Sequence, residues 1–274
     1  MEEFEVLAQG IFTNDTVDVD YRPGVRIRWE PSAEKFIDSA WEAHVRACRD
    51  TGLTVYNGSL LRLDIFAWTD GRLSLTLSDI DFRSCIGSGT NQFAAAFPRA
   101  PLANPLSVSV ALVTIDGQIV LEKRIRVDAR RRRYHLIAGF MERKFDALGN
   151  QPNPFDTLRR EVREELGLTI ESPLYGTGLV RTVGGFELCF RCRLPISFQR
   201  LLEIKANGRT DSEIDALEAI DDSPSAVASF LVRHTADFVP SGRACLLLYG
   251  REAYGEDWYD SIAKLPTLES STPF

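Results

Sequence analysis

Strict alternation marks the clearest strands of this chain: Leu61, Leu63, Ile65 and Ala67 run to the turn Thr69-Asp70-Gly71, and Leu73, Leu75 and Leu77 return from it, which predicts a hairpin. Before it, residues 4–29 carry short strand-like runs. From Ser32 to Cys48 the spacing changes to that of a helix, with Phe36, Ile37, Ala40, Trp41 and Val45 on one side. Residues 81–91 are rich in Gly and Ser and read as a loop, and 98–105 as a linker. A second hairpin is predicted from Leu106–Ile115 and Ile119–Val127 around Asp116-Gly117, followed by an apolar strand, Leu136–Ala138, that ends in Gly139. Further strands fit 179–182 and 186–194. Residues 223–234 and 244–249 read as helical or buried, and the tail as loose. With no internal repeat, the expected class is α+β, as a smaller N-terminal domain (1–104) and a larger one (105–274).

Between Gly139 and residue 179 lies a helix of different character. Phe155, Leu158, Val162 and Leu166 form its apolar stripe, while Glu161, Glu164 and Glu165, at i, i+3 and i+4, share another face. Asn153-Pro154 supplies a cap and a first helical residue. Three like charges at these spacings repel, so something positive belongs beside them. A solvated face is the bland alternative. Clustered carboxylates are hard oxygen donors and favour Mg²⁺ or Mn²⁺ over zinc.

Composition narrows the function without choosing it. The 274 residues are 44% hydrophobic, enough for real cores, and the net charge of −7 gives no support to a nucleic-acid surface. Arg130–Arg133 is a short basic cluster, equally an exposed loop or a phosphate-attracting rim. The acidic start Met1-Glu2-Glu3 is unlike a signal peptide and no apolar run spans a membrane, so a cytoplasmic setting without membrane or nucleic-acid partners is expected. Five cysteines include one CxxC, Cys189 to Cys192, in a strand-like segment without a second pair, and are read as small buried hydrophobes. His44, His135 and His234 have no ligand-like spacing.

Arg160 to Leu168 matches, position for position, the second half of the Nudix box, and the chain resembles the Nudix hydrolases. The resemblance implies an α/β/α sandwich around a mixed sheet and a metal-dependent diphosphatase. It assigns Gly139, Glu161, Glu164 and Glu165 as metal ligands, Glu161 as an aid to deprotonating water, and Arg160 as the residue that orients a neighbouring glutamate, a surface salt-bridge arginine being the alternative. Glu187, after a glycine pair, is the candidate for a further acid, an outward-facing strand acid being equally consistent with its spacing. The first half of the box departs from the family. Gly139 precedes Arg160 by 21 residues rather than 14, so seven are inserted, and the first glutamate falls on Phe145 or, with Gly149 aligned, on Asn150.

Over nearly its whole length the chain also resembles the Nudix branch that cleaves UDP-glucose and UDP-galactose to UMP and sugar 1-phosphate. The shared segments are Trp41-Glu42, Asp81-Phe82-Arg83, Thr90-Asn91, Pro105-Leu106 and Gly242–Tyr249. This implies a nucleoside diphosphate-sugar substrate, with Arg83, Thr90 and Asn91 contributing to its pocket. A Nudix diphosphatase for ADP-ribose and a non-catalytic nucleotide-sugar sensor are the alternatives; oligomeric state is open.

Overall fold

The computed structural model describes residues 4–50, 52–124, 133–147, 149, 151–207 and 216–263. Arg130 to Arg132, Asn150 and the C-terminal tail lie outside them. The class is α+β, as the patterning predicts.

The main sheet runs β1 (Glu5–Phe12), β9 (Tyr175–Thr182), β10 (Gly185–Arg193), β5 (Leu106–Val113), β6 (Gln118–Arg124), β11 (Ala216–Asp221), with β7 (Arg133–His135) on β6 and β8 (Ile137–Phe140) on β5. β5 and β10 are parallel and the other pairings antiparallel. Alternation along each strand feeds two cores. From β5, Val108, Val110 and Leu112 meet Leu158 and Val162 of α5 (Pro154–Leu166), whereas Ala111 and Val113 meet Cys245 and Leu246 of α8 (Pro240–Tyr254) on the opposite face. An α/β/α sandwich results.

A smaller sheet, β2 (Val17–Arg26), β4 (Arg72–Asp81) and β3 (Ser59–Thr69), carries the predicted hairpin. Its leucines 61, 63, 73, 75 and 77 join the α5-side core, so one apolar interior serves both sheets. The alternation stops short of Ile65, which is 60% exposed, because a register shift after Leu63 turns the strand over. The division expected at residue 104 is crossed by β1, which is an edge strand of the main sheet.

Residues 81–91 are not a loop. Asp81 accepts from Ser84 N at 2.9 Å and starts α2 (Phe82–Ser88), and Thr90 caps α3 (Asn91–Ala96). The glycine at 87 serves close packing instead of a turn: a Cβ there would stand 2.6 Å from Ile37 Cα in α1 (Pro31–Asp50). Of the two segments read as helical or buried, one forms α7 (Pro224–Arg233) and the other lies within α8. No helix of the described residues is long and apolar enough to cross a membrane. All five cysteines are buried and unbridged, with Cys189 and Cys192 in β10.

Candidate active site at the Arg160–Glu161 edge

Helix α5 begins as its sequence signals: Asn153 accepts from Phe155 N at 2.9 Å, Pro154 is the first helical residue, and Gly167 ends the helix with φ 69°. Its apolar stripe fixes its rotation on the sheet, which leaves Arg160, Glu161 and Glu164 beside the end of β8. There Gly139 pairs in register with Val108 of β5. Glu161 uses the space a side chain at 139 would take, since a Cβ on Gly139 would lie 2.0 Å from the Glu161 carboxyl carbon.

Arg160 is the cation that this acidic edge requires. Nη1 forms an ion pair with Glu161 Oε1 at 2.8 Å and donates to Glu164 Oε2 at 2.9 Å. Nε and Nη2 bind both oxygens of Asp146, at 3.0 and 2.9 Å, and Nη2 also donates to the Phe140 carbonyl at 3.1 Å. The Phe145 ring lies against the guanidinium, 5.4 Å from its centroid. Burial alone would lower the Arg160 pKa, but the hydrogen bonds of Asp146 and the charges of Glu161, Asp146 and Glu164 hold it above the usual value.

One guanidinium does not neutralise the acids around it. Burial pushes the Glu161 carboxyl up to about 8; Arg160 opposes this, while Glu164, Asp146 and Glu142 add to it. Glu142 is raised as well, first by burial. Glu164 stands at the mouth with 39% of its side chain exposed. Glu165 is buried one turn after Glu161, and its carbonyl accepts from Lys205 Nζ at 3.1 Å.

Asp146 is the residue that counting along the box misses. The inserted segment folds into a short helix, α4 (Arg143–Asp146), in which the Asp146 side chain accepts from Glu142 N at 2.6 Å and turns toward Arg160. Phe145, at the counted position, instead packs its ring on the guanidinium. A signal was present in the acid spacing Glu142-x-x-x-Asp146, but gap counting gives no register inside an insertion.

The structure does not bring Glu187 to this cluster. Phe186, Leu188 and Phe190 face α5, so alternation turns Glu187 to the α8 side, where its Oε2 accepts from Ser107 Oγ at 3.1 Å. Nor do Arg83, Thr90 and Asn91 converge as a ligand loop. Arg83 binds Glu34 and, at 2.6 Å, Asp38, both on α1; Thr90 Oγ1 accepts from Phe93 N at 3.1 Å; Asn91 is exposed at the start of α3. A cavity of about 270 Å³ among Val113, Arg191, Arg193 and Tyr249 is at the opposite end of β5, its guanidiniums already paired with Glu252 and Asp222.

Among the described residues no three His, Cys, Asp or Glu side chains stand together as a formed metal site. The donors nevertheless suit a hard divalent cation: they are carboxylate and carbonyl oxygens, and Glu161 sits in a pocket with more negative than positive charge.

No protein-family profile and no curated protein sequence matches the chain. Solved structures are similar to part of it. They include a NUDIX hydrolase from Nitrosomonas europaea (16% identity, 55% of this chain and 90% of that one, TM-score 0.37). Another is the NUDIX domain of Shewanella oneidensis NrtR complexed with ADP ribose (14%, 60% and 98%, TM-score 0.39). A third is a bifunctional NMN adenylyltransferase/ADP ribose pyrophosphatase from Francisella tularensis complexed with AMP and a Mn ion (12%, 59% and 46%, TM-score 0.38).

Proposed function

We propose that this chain is a Nudix-type, divalent-cation-dependent hydrolase that cleaves the diphosphate of a nucleoside diphosphate-sugar. The observation that carries the reading is the seating of Glu161 on the backbone of Gly139, inside a group of acids that a single guanidinium leaves under-neutralised. The Gly139 carbonyl with Glu161, Glu164 and Glu165 would hold Mg²⁺ or Mn²⁺. Bound there, the ion offsets charge on phosphate oxygens and acidifies water.

The chain's own residues do the rest. Glu161, whose carboxyl burial raises to about 8 in the metal-free protein, would give up that proton when the cation binds, and its carboxylate is then placed to take one from water. Arg160 holds one oxygen each of Glu161 and Glu164, and so fixes which way both carboxylates turn. Asp146 fixes Arg160 in turn. Glu187 is outside this set. UDP-glucose and UDP-galactose are the proposed substrates, on the sequence resemblance that extends through the N-terminal half, and the buried, unbridged cysteines fit a cytoplasmic setting.

The test is release of nucleoside monophosphate from UDP-glucose, UDP-galactose and ADP-ribose with and without Mg²⁺ or Mn²⁺. Metal-dependent UMP release is expected, faster than AMP release from ADP-ribose. Glu164→Gln, which keeps size and removes charge, should lower kcat on the order of 100-fold with little change in melting temperature. Faster cleavage of ADP-ribose would overturn the uridine assignment alone. Unchanged turnover in the Glu164 variant would remove the mechanism, and binding without turnover of any of the three would favour a sensor.

A further inference from the structure

Among the described residues four aromatic groups hold three or more rings, and three of them are anchored in the interior. The group at Tyr134 has Tyr134, Phe230 and Phe238 no more than 9% exposed, the group at Phe36 is centred on fully buried Phe93, and the group at Tyr254 rests on buried Tyr249. The fourth has no buried member. Trp41 and His44 stack at 5.8 Å and 30°, Phe82 meets both edge-on at 6.0 and 6.2 Å, and Phe140 meets Phe82 at 6.2 Å. All four rings are half-buried.

The position of this group gives it a meaning. Phe140 belongs to both places: its ring ends the aromatic series, and its carbonyl accepts from Arg160. From there the series leads away from the carboxylates in two ring-to-ring steps, onto the N-terminal helix α1. A nucleoside diphosphate has the same order of parts, with a polyanion that needs the metal-binding end, then a ribose, then a planar base.

We propose that Trp41, His44 and Phe82 form the shelf on which the nucleobase of the substrate stacks. The inference rests on the diphosphatase reading and adds what that reading lacks, a surface for the base. Partly exposed rings offer area without a large entropy cost, and stacking tolerates any base. The shelf therefore provides affinity, and hydrogen-bonding groups elsewhere choose between bases. It also gives the N-terminal half a part in binding that does not depend on Arg83, which α1 already holds.

The experiment is calorimetric titration of the full chain, in Mg²⁺, with UMP, AMP and inorganic pyrophosphate. Trp41→Leu keeps apolar bulk and removes the aromatic face; it should weaken UMP and AMP roughly tenfold and leave pyrophosphate unchanged. Trp41→Phe should restore most of the loss. Should Trp41→Leu not fold, His44→Ala is expected to weaken the nucleotides selectively in its place. Equal weakening of pyrophosphate and nucleotides, or unaltered nucleotide binding in a folded variant, would overturn the shelf. Failure of the diphosphatase reading is separate, since it appears as unchanged turnover in Glu164→Gln while base-dependent binding persists.

Discussion

Glu161 carries a proton that an exposed glutamate would have lost. Its carboxyl is raised from the ordinary 4.5 to about 8, while in the unfolded chain it returns to the ordinary value. Between those two values the folded state binds the extra proton, so raising the pH through this window costs the metal-free protein stability; above it both states are ionised and the loss levels off. We expect thermal melts in chelator to fall between pH 5 and 8, and Glu161→Gln to remove that part of the slope, up to about 1.4 kcal/mol per pH unit. Asp146 matters for a different reason. Its side chain is almost fully buried and binds Arg160 through both oxygens, so Asp146→Ala takes a two-oxygen partner from a buried guanidinium and leaves it Glu161, Glu164 and the Phe140 carbonyl. Urea denaturation should show a loss of about 3–5 kcal/mol. A loss under 1 kcal/mol would mean that Arg160 finds compensation in Glu161 and Glu164.

At the scale of elements, legibility followed periodicity. Helix α5 was readable from its stripe and its Asn153-Pro154 start, which together fix where it begins and how it is rotated. Asn153→Ala should therefore cost about 1 kcal/mol in urea titrations and leave kcat unchanged. The side of the sheet taken by Glu187 was also readable, since Phe186, Leu188 and Phe190 are a core-facing set and the acid between them must face the other way. Asp146 was not, because an insertion breaks the count that periodicity supplies. Residues 81–91 misled by composition: their glycines serve helix packing and a helix end, and Asp81 and Thr90, which look like turn residues, are caps.

For the whole molecule, the two sheets share an interior, and this decides what can be separated. Leucines of β3 and β4 pack in the same core as Leu106, Val108 and Phe155, and β1 lies against β9. Fragments 1–104 and 105–274 would each expose that core, and we expect neither to give a cooperative melt alone; a sharp transition in either would show that the halves are independent. The pairing of β1 has a consequence in time. Glu5 is opposite Arg181, 176 positions further along the chain. A ribosome delivers the first strand long before its partner exists, and no local contact can replace a sheet neighbour that has not been made. β1 must wait, with its backbone unpaired, until residues 175–182 have emerged, so this edge of the sheet closes only after β5 and β6 have been made.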